Sequence, residues 1–206
     1  MPMYSKASTV TFAAQARIVS LALSAACLMF VPGMAAAETL DLSLGSDSVS
    51  AALGGPLRSG RANAAYDLGF LYSDDRDVGL KQAHAGLLVT GDAGARNADV
   101  NAGLGVRAVA ADFDGGSGGA IDLGGKVEIR VPNFNRLGLT AYGWYAPKII
   151  SFGDFDQNTE FGVMIDYEVI RDAALFVGYR EIRFELDDAG EDKVDDSIIA
   201  GLRLEF

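Results

Sequence analysis

From residue 38 onward the chain alternates. Apolar side chains fall at every second position in Leu40, Leu42 and Leu44, in Tyr66, Leu68, Phe70 and Tyr72, and in Ala83, Ala85, Leu87 and Val89. Val100, Ala102, Leu104, Val106, Ala108 and Ala110 form the longest run, followed by Ile121, Leu123, Val127, Ile129 and Val131. Further runs are Leu137, Leu139, Ala141 and Tyr145, then Phe161, Val163, Ile165, Tyr167 and Val169, then Leu175, Val177 and Tyr179. The last, Ile198, Ala200, Leu202, Leu204 and Phe206, ends on the final residue. A period of two places these side chains on one face of a β-strand, and no segment keeps the 3.6-residue period of a helix. The fold expected is all-β.

The opposite faces decide between kinds of all-β protein. They carry Asp67, His84, Arg107, Asp122, Lys126, Glu128, Arg130, Asp166, Glu168, Arg203 and Glu205, interspersed with glycine. Glycine is abundant, at 25 of 206 residues. A bilayer is crossed by tilted strands of about 9–11 residues, apolar toward lipid and polar toward the lumen, closed so that no edge is left unpaired. The expectation is therefore an antiparallel transmembrane β-barrel of eight spanning strands plus a short N-terminal hairpin, residues 40–44 and 49–53 around a turn at Gly45-Ser46-Asp47-Ser48. The strand count is then eight or ten. Counted back from Phe206, residues 73–80, 112–119, 147–159 and 187–196 read as longer external loops, and 132–136 and 170–174 as short periplasmic turns. Within 175–186 the apolar phase shifts by one, from Tyr179 to Ile182, Phe184 and Leu186, which reads as a β-bulge near Arg180. A soluble periplasmic barrel, apolar inside and polar outside, shows a similar alternation and is the rival at the level of fold.

Residues 1–37 read as an export signal rather than as fold. Lys6 and Arg17 precede a 14-residue apolar run at 18–31, a Pro32-Gly33 break and three alanines at 35–37. The run is too short to span hydrocarbon as a helix, which takes about 20 residues. Cys27 as a lipoprotein site is disfavoured, because cleavage there would leave the apolar residues 28–31 at the new N-terminus. Removal of 1–37 before Glu38 leaves residues 38–206 as one barrel domain and takes the net charge from −11 to −13. It also removes the single cysteine, so a disulfide framework is excluded. The acidic balance excludes nucleic acid as a partner, since phosphate contacts need clustered Lys and Arg.

Several features together resemble one family. They are the N-terminal hairpin at 40–53, the Gly-rich strand NAGLGV at 101–106, the stretch VGYR at 177–180 with the acidic segment after it, and the aromatic C-terminus. The chain resembles the YfaZ family of small Gram-negative outer-membrane β-barrel proteins. The resemblance implies location and fold, an outer membrane and a barrel, and brings no catalytic motif. The terminal Phe206, closing an alternating strand with Leu202 and Leu204, resembles the C-terminal signal of bacterial outer-membrane proteins that is read by the barrel-assembly machinery.

Function is expected from the lumen. Eight to ten strands leave an interior just wide enough for side chains to fill, so the lumenal charges are expected to pair and plug it, giving a structural or interaction role in the envelope. A narrow porin-like channel for ions or small solutes is the alternative. An outer-membrane lipid hydrolase using His84, placed by this count near the outer rim, is a more distant one. No cofactor is expected. The acids at Asp74, Asp75, Asp77, Asp112, Asp114, Asp154, Asp156, Asp187, Asp188, Glu191, Asp192, Asp195 and Asp196 fall on the external side. Through divalent cations they could meet lipopolysaccharide and outer-membrane lipid, although no calcium-loop motif is present. Tyr66, Tyr72, Tyr145, Tyr167 and Phe184 suit interfacial girdles, while Trp144 falls on the lumen phase. The protein is expected to be a monomer.

Overall fold

A computed structural model describes residues 38–57, 63–75, 78–93, 98–113, 116–130, 134, 136–186 and 190–206. The expected signal segment, 1–37, lies outside these residues. The strands are β1 (Thr39–Leu44), β2 (Ser48–Leu57), β3 (Ala64–Asp75), β4 (Val78–Asp92), β5 (Asp99–Phe113) and β6 (Gly116–Arg130). They continue as β7 (Leu137–Ala146), β8 (Ser151–Gly153), β9 (Phe155–Ile170), β10 (Ala173–Leu186) and β11 (Gly190–Glu205). Ten of them close into one antiparallel barrel, with β7 pairing directly to β9 and β8 attached only to β6.

The N-terminal hairpin belongs to the wall, so of the two expected counts the structure adopts ten. β1 bridges β2 and β11, with Leu40 opposite both Leu53 and Leu204. Beyond the strands the seam is finished by the Glu38 N–H donating to the Phe206 carbonyl at 2.8 Å and the Phe206 N–H returning to Glu38 at 3.0 Å. Closure of this kind leaves no row of backbone groups without a partner, which hydrocarbon would penalise by several kcal/mol per group.

On β3, β4, β5 and β10 the polarity pattern inverts once along the strand. From the C-terminal end upward the outer surface is an apolar belt in which Leu104, Val106, Ile121, Leu123, Val163, Ile165, Leu175, Val177 and Ile198 are all exposed. On β5 it runs from Val100 to Ala110, which matches the roughly 9–11 residues a tilted strand needs to cross a bilayer. Beyond the belt, toward the far end, the outward residues are the exposed Lys81, Asp112, Ser117 and Asp196. There the apolar side chains point inward: Leu71, Leu80, Ala111, Phe155, Ile182 and Phe184 form one buried cluster, with Phe113 packed against it. Phe155 stacks on Phe184 at 4.6 Å and on Phe113 at 5.6 Å between ring centroids.

Three expectations are corrected by this inversion. The stretches read as long external loops are largely strand: β3 and β4 are joined through 76–77, β5 and β6 through 114–115, and β10 and β11 through 187–189. Pairing continues because an inward apolar layer gives those residues a face to bury. Among the described residues, the segment between β7 and β9 leaves the wall, through a 3-10 turn at Lys148–Ile150 and then β8. Gly153 ends that strand at φ +77°, where a Cβ would lie 2.7 Å from the Ser117 carbonyl. The phase shift in β10 is likewise not a slip of that strand. Phe176, Arg180, Ile182 and Phe184 all share the inward parity, and the apolar set crosses from outside to inside. The bulge lies opposite, where β11 places Val194 between the partners of Ile182 and Arg183. Phe184 is accordingly buried in the plug and not part of an interfacial girdle.

Candidate functional site

The inward-facing residues below the apolar cap assemble into two ion-paired layers. In the upper layer Arg107 on β5 sits opposite its ladder partner Asp122 on β6. Its Nε and Nη2 donate to Asp122 Oδ2 at 3.1 and 2.7 Å, and Nη2 also reaches across the lumen to Glu160 Oε2 on β9 at 2.6 Å. Asn158 Nδ2 donates to both Asp122 oxygens at 2.9 and 3.0 Å, and Gln82 Nε2 donates to Glu160 at 3.3 Å. The Arg107 guanidinium lies over the Trp144 ring, 4.8 Å from its centroid. On the other side of the lumen Arg180 donates to Ser50 and Ser48 of β2 at 3.1 and 3.0 Å. Planar guanidinium groups suit such shared carboxylates because their donors are fixed in a fork.

The lower layer is centred on Arg203. It donates from Nε and Nη2 to the two oxygens of Asp41, both at 2.8 Å, and lies 3.6 Å from Asp166. Arg130 approaches Asp166 at 3.2 Å and Glu168 at 4.0 Å. Lys126 pairs with Glu128 at 2.7 Å, and His84 Nε2 with Asp67 at 2.7 Å. Glu205 shares the face of Arg203 and is exposed at the C-terminal end. Every residue expected to face the lumen is thus on the inward parity.

Glycine makes these contacts geometrically possible. Arg130 and Asp166 stand on β6 and β9, on either side of β7, and the residue between them is Gly138, opposite both. A Cβ there would lie 2.5 Å from the Asp166 carboxylate. His84 lies flat over Gly69, where a Cβ would meet the ring at 2.3 Å. At these two positions glycine makes room for a large side chain lying across the neighbouring strand.

Sequence reasoning misses Asp41, Glu160, Gln82, Asn158 and the Ser48 and Ser50 pair. All obey the same parity rule as their neighbours: Asp41 lies between Leu40 and Leu42, and Glu160 precedes Phe161 on the even, inward set. Treating 147–159 as loop ends the alternation just short of Glu160. His84 lies below the cap, with Leu80 and Gln82 between it and the far end, and so is not at the outer rim. Trp144 is buried in the lumen as its phase requires. Leu202 and Leu204 face outward in the β1–β11 seam, and Phe206 is exposed beside it. Of the external acids, Asp74, Asp112, Asp154 and Asp196 are exposed and Asp156 pairs with Lys148 at 2.6 Å. Asp77, Asp114, Asp187 and Asp188 lie outside the described residues.

Exposure falls steeply along the lumen. On β6 alone the Lys126 and Glu128 side chains are 41% and 38% exposed, whereas Asp122, four residues closer to the cap, is 0%. Among the described residues, lumen-facing side chains are more exposed toward the C-terminal end and more buried toward the far end.

A closed ten-stranded barrel with an apolar outer belt and a charged interior is the architecture of a membrane-spanning β-barrel. Comparison with known proteins gives the particular kind. The model of the family described as YfaZ precursor matches residues 16–206, and the chain belongs to that family. No curated protein sequence matches it. Among solved structures it is similar to the translocator domain of the autotransporter NalP from Neisseria meningitidis (12% identity, 95% of this chain and 98% of that one, TM-score 0.38). It is also similar to the outer membrane channel DcaP of Acinetobacter baumannii (13% identity, 86% and 55%, TM-score 0.37). A third is a major outer membrane protein from Thermus thermophilus (10% identity, 84% and 100%, TM-score 0.34).

Proposed function

We propose that this is a monomeric outer-membrane barrel of a Gram-negative bacterium with a filled, charge-paired lumen, serving a structural or interaction role in the envelope and not catalysis or conduction. The apolar belt, the export signal expected at 1–37 and the terminal Phe206 support the location. In this reading Phe206 and the more exposed end of the lumen face the periplasm, and the strand extensions with their exposed acids project outward toward lipopolysaccharide. Leu202, Leu204 and Phe206 would be read by the assembly machinery.

One observation carries the closed-lumen reading: toward the far end Phe113, Phe155 and Phe184 stack on one another, and deeper in the lumen the side chains of the Arg107–Asp122–Glu160 cluster are buried. A conducting path would have to separate the rings and break a buried ion cluster at once. A lipid hydrolase would need its histidine at the outer rim, and His84 instead lies within the barrel beside Asp67. The test is planar-bilayer recording of the mature chain, with a heat-dependent gel shift showing that it is folded. The expected result is a folded, silent barrel. Steady conductance steps would overturn the reading and favour the narrow channel.

A further inference from the structure

The detour between β7 and β9 holds its apolar side chains outward. Ile149 in the 3-10 turn is 87% exposed, more than Leu104 in the belt at 76%, and Phe152 on β8 is 59% exposed. A single exposed apolar residue is ordinary, but one that continues an apolar surface marks an interface.

The register shows which surface they continue. β8 pairs with β6 so that Phe152 stands opposite Gly119, and Gly119 stands opposite Ala110 of β5 on its other edge. Ala110 is the last outward apolar residue of β5 before the exposed Asp112. Residues directly opposite in a ladder share a face, so Phe152 carries the last row of the belt across β6. Ile121, one outward step along β6, and Tyr145, near the end of β7, are exposed beside it.

The polar groups of the detour are turned to one another. The Ile150 N–H and the Ser151 hydroxyl donate to the Pro147 carbonyl at 3.0 and 3.3 Å, and the Ser151 N–H donates to the Lys148 carbonyl. Lys148 Nζ donates to Asp156 Oδ2 at 2.6 Å, and Asp154 Oδ2 accepts the Ser117 N–H at 3.0 Å. Hydrocarbon penalises polar groups left without partners, whereas water supplies them. Apolar side chains outward over internally paired polar groups suit a segment lying at the boundary between the two. A lysine fits the same boundary, because its apolar stem packs along hydrocarbon while the ammonium stays at the aqueous edge.

We infer that residues 147–153 form a lipid-binding foot. Ile149 and Phe152 lie among the acyl chains of the outer leaflet, continuous with the belt, and the Lys148–Asp156 pair stays at the aqueous edge. The occupant is the bilayer itself, since the patch is an extension of the surface that already faces it. The inference rests on the outer-membrane reading above and turns part of a segment expected to be an external loop into membrane surface.

The test places single cysteines in a Cys27→Ser background, each carrying a nitroxide label, in vesicles of dimyristoylphosphatidylcholine. The gel shift shows that each variant is folded. Collision of the label with oxygen, which partitions into hydrocarbon, is compared with collision with a water-soluble nickel chelate. Val177→Cys in the belt and Asp112→Cys beyond it give the two limits. Labels at Ile149→Cys and Phe152→Cys should favour oxygen as Val177→Cys does, with the ratio inverted at Asp112→Cys. Preference for the chelate at either position, with Val177→Cys still favouring oxygen, would put the detour in water and overturn the inference while leaving the membrane barrel standing. Little collision with either probe would mean that a second copy or another protein covers the detour, and would overturn it too. Preference for the chelate at Val177→Cys as well would remove the membrane reading and the foot together.

Discussion

The cap and the belt section are made of the same strands and solve opposite problems. In the belt section, β5 turns Leu104, Val106 and Ala108 outward and Arg107 inward. A few residues on, the same strand turns Asp112 outward and Ala111 inward. Alternation is preserved throughout and only its sense changes. The backbone is indifferent to which face is apolar, so the surroundings select: hydrocarbon beside the belt rewards apolar side chains outside, and water beyond it rewards them inside. The cap is in effect a short soluble barrel built on the end of a membrane barrel. Its apolar side chains pack against one another across the interior.

The sharpest way to break this picture is through the layer where the two regimes meet. Arg107→Ala would leave Asp122 and Glu160 buried without their shared cation. Truncating one partner of a buried ion cluster costs about 3–5 kcal/mol, so the urea midpoint of the folded barrel should fall by the corresponding amount. A change below about 1 kcal/mol would show that the cluster is solvated, as exposed pairs are. Next in size, Phe184→Ala removes the ring stacked on Phe155 and should cost about 3 kcal/mol, the low end for such truncations because the cap can relax toward solvent. It should also raise the frequency of transient conductance events over the silent parent. A loss of stability without any such events would place the seal at the ion cluster alone.

The contrast between outer surfaces is tested by placing one residue on each. Val177→Arg puts a charge into the belt, where the cost near the midplane is about 2–4 kcal/mol. Ser117→Arg puts the same charge on the outward face beyond the belt and should stay within about 0.5 kcal/mol. Both are measured by urea titration in lipid vesicles. Equal penalties would mean that the belt ends elsewhere, and no penalty at either position would remove the membrane from the argument.

This contrast also explains how much of the molecule is legible in its sequence. Parity alone finds the lumen face, because a one-residue error would turn every strand inside out. It places Arg107, Asp122 and Arg203 correctly without any knowledge of their partners. Partners across the lumen, such as Glu160 to Arg107 or Ser48 to Arg180, depend on closure and stagger, which alternation within one strand does not encode. The cap escapes parity reading for a more specific reason. Polar outward residues such as Asp112 and Asp196 look like loop when the apolar face is assumed to stay outside. The sign reversal is visible in Ile182, Phe184 and Leu186, where it imitates a bulge. An apolar set that changes parity has two explanations, a slipped strand or a changed solvent, and the buried positions of Ile182 and Phe184 select the second.

The smallest effect concerns how the lumen is packed. Gly69 faces His84 across the β3–β4 ladder, and a Cβ there would meet the imidazole at 2.3 Å. Its neighbour is the end of a side chain and not backbone, so Gly69→Ala can be relieved by rotating the ring, at the expense of the 2.7 Å contact with Asp67. Overpacking of this kind costs about 1–3 kcal/mol, and relief by rotation puts the expected value at the lower end. The same substitution in a His84→Ala background should cost almost nothing, because the ring it collides with is gone. The coupling between the two sites, read from the four urea midpoints, should therefore account for most of the single-mutant loss. Additive losses would mean that the ring does not lie over Gly69. Glycine at position 69 would then need another cause, such as strand curvature.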